Sequence, residues 1–288
     1  MSGINAAYVL RAKRYGIKAI LYIILLIVFA MYMIPVLWIV ATSFNHDYNS
    51  MAYPPNLMSF SEFTFDNYRK AFGSGTSSVS QNFRNSVIIS SLASCSAMLI
   101  GTPAAYILSR FRFRGNRTIY LGFMASRIAP ATLLAIPIFV WSRQLNLFDT
   151  LSLMILVNTS MCMAWVVWMM RSFFDDLPVE IDEAAMIDGC SRLTCLLKVI
   201  IPLSTPGLAA TMIFCVILSW NEYFYTLVLT SFRAQNLPVV LTRFISIYGI
   251  NWGQMCSAAS VIMLPILIFV LFLQKYLIKG LTVGAVKG

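Results

Sequence analysis

Carboxylates are concentrated in one short stretch of this sequence. Six of the eleven Asp and Glu residues fall between positions 175 and 188, namely Asp175, Asp176, Glu180, Asp182, Glu183 and Asp188. A stretch this acidic is too polar to be a membrane span. No metal site or cofactor is predicted, because the single histidine, His46, has no neighbouring ligand set and the six cysteines form no C-x-x-C pair.

A second group combines flat aromatic faces with hydrogen-bonding atoms. It consists of Trp220, Asn221, Glu222, Tyr223 and Tyr225. A sugar presents both CH patches and hydroxyl groups, so this combination suits a transient sugar site. Aromatic residues also anchor the ends of membrane spans at the interface, and the sequence leaves both interpretations open.

Arg127 is the only charge in the apolar run at 118–142. A charged side chain at that depth costs at least about 2.5 to 3.5 kcal/mol on insertion scales, so we expect Arg127 to face protein or water. Glu222 is a candidate partner for an ion pair, and contact with a substrate is the other interpretation. Arg127 is therefore a candidate pathway residue.

Membrane helices must position these groups. Of the 288 residues, 59% are hydrophobic and 11% are charged, whereas soluble domains have about 25% charged residues. Six segments are apolar enough to cross a bilayer, and they lack the alternation of barrel strands. We predict an all-α polytopic protein with a single transmembrane domain over residues 1–288. The predicted spans are 19–42, 85–109, 118–142, 151–171, 203–229 and 258–275.

Prolines and basic residues refine this prediction. Pro103, Pro130, Pro137 and Pro265 lie inside predicted spans and should bend or break them. With the N-terminus in the cytoplasm, fourteen of the twenty-one Lys and Arg residues fall in cytoplasmic segments and six in outer segments. This bias places both termini in the cytoplasm by the positive-inside rule. The net charge of +10 thus orients the chain, and no nucleic-acid partner is predicted.

The acidic stretch is predicted to form a short helix within a cytoplasmic loop at 175–202. Pro178 suits the first turn of a helix, and Gly189 suits the position just past its end. Ser191 can cap a second helix that runs until Pro202. One face of the acidic helix is predicted to let another protein approach closely through small side chains, at Ile181, Ala184, Ala185 and Asp188.

These residues resemble a known signature. The sequence from Glu183 to Gly189 is EAAMIDG, and Ile201-Pro202-Leu203 and Pro206 follow it. The pattern is similar to the EAA signature of permeases in ATP-binding-cassette importers, with Cys190 in place of the usual alanine. The segment SWNE at 219–222 and the C-terminal GLTVGAVK at 280–287 resemble the shorter permease of the maltose-type branch.

The resemblance implies a type I importer fold and a set of partners. A permease of this kind forms a heterodimer with a second permease, and it works with a dimeric cytoplasmic ATPase and an external sugar-binding protein in the bacterial inner membrane. The acidic helix would dock in a groove of the ATPase, with Glu183 as its ionic contact. Ala184 and Ala185 would permit close approach, Asp188 would lie on the same face, and Gly189 would form the corner. The loop at 233–255 would meet the binding protein.

Other classes of protein fit less well. A secondary transporter usually has ion-coordinating carboxylates at membrane depth and more spans. A membrane enzyme is disfavoured by the single histidine, and no G-x-x-x-x-G-K-[ST] loop for nucleotide phosphates is found. An acidic helix resting on lipid would be repelled by anionic headgroups. We therefore predict a permease that imports a sugar or sugar alcohol and leaves ATP hydrolysis to partner subunits, with the particular substrate undetermined.

Overall fold

The structure, a computed structural model, describes residues 2–46, 63–73, 79–246 and 249–283. The regular secondary structure of these residues is helical apart from two two-residue strands, and the helices are joined by turns and loops. The helices are α1 (Ser2–Ser43), α2 (Asp66–Phe72), α3 (Val79–Arg110), α4 (Asn116–Ala125), α5 (Ala131–Gln144), α6 (Leu151–Asp175), α7 (Glu180–Ile187), α8 (Arg192–Leu203), α9 (Thr205–Trp220), α10 (Phe224–Leu229), α11 (Leu237–Val240) and α12 (Trp252–Val283). The strands are β1 (Ile245–Ser246) and β2 (Gly249–Ile250).

Four of the helices are long and apolar enough to cross a membrane. These are α1, α3, α6 and α12, and each contains one of the predicted spans. Helices α8 and α9 meet at an angle of 81° and would provide a fifth crossing if the bent pair is one span. The all-α polytopic prediction is therefore confirmed. The end of the 280–287 motif, from residue 284, lies outside the described residues.

Two predicted spans are not continuous helices. The segment 118–142 is divided between α4 and α5 by residues 126–130, where Pro130 lacks the N–H that would extend the helix. The segment 203–229 is divided by residues 221–223 between α9 and α10. The predicted break at Pro130 is confirmed, whereas Pro103, Pro137 and Pro265 lie inside unbroken helices.

The chain divides into two compact units, and the single domain over 1–288 stays a prediction. One unit comprises the described parts of 1–71 and 248–260, and the other those of 72–247 and 261–288. In the first unit, the Asn67 side-chain amide donates hydrogen bonds to the carbonyls of Ser43 and Asn45, at 3.0 and 2.7 Å. These bonds satisfy carbonyls at and just past the end of α1.

Helices α3, α6 and α9 form the centre of the second unit. Gly101 lets α3 approach α6 closely, since a Cβ atom there would lie 2.6 Å from Cγ1 of Val166. The core between these helices includes Tyr106 and Phe174, and it continues into the 175–202 segment through Cys195 and Ile200. The cytoplasmic loop predicted from sequence is thus packed against the helical core of its own chain.

The segment after α10 is fixed at the opposite end of this unit. The Asp149 carboxylate accepts hydrogen bonds from the backbone N–H groups of Phe232, Arg233 and Ala234, at 3.1 to 3.3 Å. The Asn85 side-chain amide donates to the carbonyls of Arg233 and Gln235, at 2.8 and 2.9 Å. The first part of the loop predicted at 233–255 is therefore ordered by α3 and by the turn before α6; residues 247 and 248 lie outside the described part.

Candidate functional site

The acidic helix α7 ends in a well-formed glycine corner. Gly189 has φ +88°, a left-handed conformation that glycine adopts without steric cost. The N–H of Cys190 donates to the carbonyl of Ala185, and the N–H of Gly189 to that of Met186, the pairing of a Schellman motif. The Ser191 side chain then accepts a hydrogen bond from the N–H of Thr194 and caps α8, as predicted.

The face of α7 that the sequence groups together is split between solvent and core. Glu183, Ala184 and Asp188 are exposed, as a docking surface requires. Ala185 is only 8% exposed and packs in the core cluster with Phe174 and Cys195. The expectation that Ala185 allows another protein to approach is therefore corrected, because its methyl group already contacts this chain.

Sequence reasoning missed the other buried residue of α7. Asp182 is 3% exposed, and its carboxylate forms an ion pair with Arg110 at 3.0 Å and accepts a hydrogen bond from the Tyr106 hydroxyl at 2.6 Å. The available signal was spacing, since Asp182 and Ala185 are three residues apart and share one helix face. The partners on α3 could not be read from the chain.

A cleft lies beside the break between α4 and α5. Its volume is about 460 Å³. Its polar lining comes from Ser126, Arg127, Ser160 and Tyr225, and its apolar lining includes Leu134, Ile138, Leu156, Val157 and Met161. Apolar walls with a few converging polar groups are typical of small-molecule sites.

Arg127 is held at this cleft by weak contacts. Its Nη1 atom donates to the carbonyl of Met161 at 3.4 Å, and its guanidinium carbon lies 5.6 Å from the centre of the Trp165 ring. Among the described residues it has no ion-pair partner within 4 Å. The guanidinium therefore keeps most of its five donors free to face the cleft.

Glu222 does not pair with Arg127. Its carboxylate accepts hydrogen bonds from the N–H groups of Tyr225 and Thr226, at 2.6 and 3.1 Å, and from the Thr226 hydroxyl at 2.7 Å. It is 6% exposed. The expectation of an ion pair with Arg127 is corrected, because Glu222 instead accepts these hydrogen bonds at the start of α10. This buried arrangement favours a structural role over contact with substrate.

Trp220 is also part of the internal structure. It is 3% exposed, its indole N–H donates to the carbonyl of Ile262 at 3.2 Å, and its ring meets that of Phe83 edge to face. Neither the sugar-site nor the interfacial-anchor interpretation describes a residue buried in this way. Of the remaining members of the aromatic group, Asn221 and Tyr223 are exposed, and Tyr225 lines the cleft.

Comparison with known proteins decides the family. The model of the binding-protein-dependent transport system inner membrane component matches residues 97–283, which include α7, the glycine corner and the cleft. The chain belongs to this family. It is thus the permease of a binding-protein-dependent ABC importer and not its ATPase, and the identification made from the EAA signature is confirmed.

Two relatives of this permease are named for carbohydrate transport. It is 32% identical to the trehalose/maltose transport system permease protein MalG of Thermococcus litoralis, over 94% of this chain and 98% of the relative. It is 33% identical to the diacetylchitobiose uptake system permease protein DasC of Streptomyces coelicolor, over 88% and 91%.

A solved structure shares the fold of the permease. A chain of a bacterial ABC transporter involved in the import of the acidic polysaccharide alginate matches with a TM-score of 0.73 and 25% identity, over 90% of this permease and 96% of that chain. The permease is accordingly a multi-pass protein of the inner membrane, and its family implies a complex with a binding protein and an ATPase.

Proposed function

We propose that this permease carries a sugar or sugar alcohol across the inner membrane and that α7 docks on the cytoplasmic ATPase. The exposed surface of α7 carries this proposal. Glu183 and Asp188 present negative charge on a helix that the Schellman motif ends sharply, and Ala184 adds no bulk beside them. A basic groove is the complementary surface for such a helix.

The proposed pathway passes the cleft beside Arg127. Ser126, Ser160 and the Arg127 guanidinium offer hydrogen bonds to hydroxyl groups, and the Tyr225 ring offers a flat face to sugar CH groups. The second permease, a different chain, would close the open side of this cleft. Asn221 and Tyr223 remain candidates by exposure alone, whereas Trp220 and Glu222 are proposed to support the pathway from inside the protein.

The carbohydrate substrate is inferred from relatives named for the transport of trehalose and maltose and for the uptake of diacetylchitobiose. Sugar alcohols are retained because they present the same hydroxyl groups. Melting temperatures of the cognate binding protein, measured with disaccharides and with mannitol and sorbitol, would identify the class. A shift with none of these compounds would contradict the proposal of a neutral carbohydrate.

The proposed orientation puts α7 and both termini in the cytoplasm, and the loop from residue 233 outside, where the binding protein docks. A proton- or sodium-driven transporter is the competing function. Vesicles that contain the two permeases without the ATPase distinguish them, because we expect no uptake there under an imposed ion gradient. Gradient-driven uptake in such vesicles would refute ATP coupling.

Docking is tested by Glu183→Lys. The substitution puts like charges together at a partly desolvated contact, at a cost of about 2 to 5 kcal/mol. Because Glu183 is exposed on the surface of α7, we expect normal membrane levels and normal pairing with the second permease. Retention of the ATPase during purification, uptake, or both should be lost.

The matched control is Glu180→Lys, which makes the same charge change at an exposed position on the same helix. It should retain more ATPase than Glu183→Lys, and an acidic substitution in the ATPase groove should restore part of the loss in the latter. Normal uptake by Glu183→Lys at wild-type expression would refute the docking assignment. Equal losses in both variants would refute the specific role of Glu183.

A further inference from the structure

A buried ion pair joins the acidic helix to a membrane helix. The Arg110 Nε atom lies 3.0 Å from Oδ2 of Asp182, and the two side chains are 5% and 4% exposed. Arg110 is the last residue of α3, and Asp182 lies in the first turn of α7. The pair therefore connects the surface proposed to meet the ATPase with the end of a helix that can cross the membrane.

Further hydrogen bonds fix the geometry of this connection. The Tyr106 hydroxyl, one turn earlier on α3, donates to Oδ1 of Asp182 at 2.6 Å. The Arg110 Nη2 atom donates to the carbonyl of Leu177 at 3.0 Å, just before α7 begins. Both carboxylate oxygens and two guanidinium nitrogens are thus engaged, and α7 is held at two points along the chain.

Stability alone does not explain a buried pair of this kind. Removing charges from water is costly, and well-packed apolar residues in their place are often as stable or more stable. The exposed pair between Arg171 and Asp175 shows the contrast, since its side chains are 25% and 50% exposed and its atoms are 3.5 Å apart. Solvent screens such a surface pair, which adds little.

The ion pair and its hydrogen bonds fix the orientation of α7 on the core, which apolar packing alone does not. Apolar packing, such as that of the core cluster that contains Ala185, Cys195 and Phe174, favours burial without fixing one orientation. A charged pair with hydrogen bonds to both partners is broken by a small displacement. Without it, α7 would be free to slide or tilt against the core while remaining packed.

We propose that Arg110 and Asp182 are positioning residues that make α7 and α3 move as one body. A displacement of α7 by the ATPase would then be transmitted to the membrane helix instead of being absorbed by movement between the two. The inference rests on the proposed docking of α7 on the ATPase. It assigns the transmission step to two residues outside the exposed docking surface.

The decisive variant is Arg110→Met combined with Asp182→Leu, which replaces the pair with apolar groups and leaves no buried charge alone. In the full complex with second permease, ATPase and binding protein, we expect a melting temperature and ATPase retention near those of the wild type. The transported compound is the sugar that most stabilises the binding protein. Its uptake, normalised to the amount of assembled complex, should fall by about 5- to 150-fold, the usual range of coupling between two sites.

A distance measurement separates transmission from stability. Spin labels at Ile187→Cys and Ile107→Cys, both exposed, report the position of α7 relative to α3 once the accessible Cys95 and Cys190 are replaced by alanine. In an otherwise wild-type complex, we expect one narrow distance distribution that is unchanged by ATP and orthovanadate. In the apolar double variant, the distribution should broaden or shift when these are added.

Single variants and their controls complete the test. Asp182→Asn should lower uptake more than Glu180→Gln, and Arg110→Gln more than the exposed Arg112→Gln. Wild-type uptake and an unchanged distance in the apolar double variant would overturn the inference even if both singles fail to fold. A wild-type complex that does not retain the ATPase, or shows no ATP-driven uptake, would instead refute the proposed function.

Discussion

Replacing Glu222 tests whether this carboxylate supports the fold or contacts the substrate. In Glu222→Ala, the N–H groups of Tyr225 and Thr226 and the Thr226 hydroxyl lose their acceptor inside the protein. Each buried donor left without a partner costs about 1 to 3 kcal/mol. Because such losses are not fully additive, we expect a total of about 3 to 5 kcal/mol.

The expected result is a loss of folded protein before any specific loss of transport. A destabilisation of this size corresponds to a fall in melting temperature of at least about 6 °C. Membrane levels by immunoblot, melting of the purified complex at one fixed heating rate, and uptake per remaining permease should be measured together. Uptake should fall in proportion to the permease level.

Two further variants sharpen the test. Glu222→Gln keeps one carbonyl acceptor and should be intermediate in stability. Asn221→Ala removes an exposed neighbour whose amide donates to the Ile217 carbonyl one turn earlier, so it should keep normal levels and melting. Normal level and melting temperature in Glu222→Ala with uptake abolished would refute the structural role and restore Glu222 to the pathway.

Three other predictions follow from local geometry. Burial raises the pKa of Asp149, but the backbone N–H groups that bind its carboxylate outweigh this effect and hold the pKa below its usual value. The ionised carboxylate therefore stabilises the folded segment above about pH 4, where the carboxyl group of the unfolded chain ionises. This stabilisation is lost as the pH falls through the lower pKa of the folded state. Proteolysis after α10 should therefore increase in acid for the wild type and vary little with pH in Asp149→Asn. Impermeant thiol reagents should label Cys190 from the cytoplasmic side and not the buried Cys195, whose pKa is raised by burial and then by the nearby Asp182 carboxylate. Gly207→Ala should cost about 1 to 3 kcal/mol, because its Cβ would lie 2.5 Å from the Phe173 ring.

Each of these has a result that would contradict it. Equal acid sensitivity in wild type and Asp149→Asn would show that the carboxylate does not fix the segment. Labelling of Cys190 from outside intact cells would reverse the proposed orientation, and rapid labelling of native Cys195 would contradict its burial. If Phe173→Leu does not relieve the defect of Gly207→Ala, as measured by thermal melting of the two variants and the double, contact with the ring is not its cause.

Local sequence was sufficient for much of the acidic segment. The helix at Glu180–Ile187, the glycine corner at Gly189 and the cap at Ser191 depend on residues within a few positions of each other. The break at Pro130 is also a local effect, because proline has no N–H to donate to the preceding turn of a helix. Local chemistry did not reveal that Pro103 and Pro265 would lie in unbroken helices, because neighbouring helices decide whether a proline kinks or ends a span.

The chain alone determined the class of the protein, and the tertiary structure decided which side chains are free to act. Composition fixes a helical membrane protein, because in lipid the backbone of such long apolar runs is satisfied as helices, and the EAA signature identifies it as a permease. Adjacent alanines at 184 and 185 look equivalent in sequence, yet their side chains differ by about 100° around a helix, so one is exposed and the other is buried. The sequence likewise does not show that the carboxylates of Glu222 and Asp182 are buried and hydrogen-bonded. The donors to Asp182 lie on a helix more than 70 residues earlier in the chain. Such long-range pairing depends on how the helices pack, and that information is carried by no single segment.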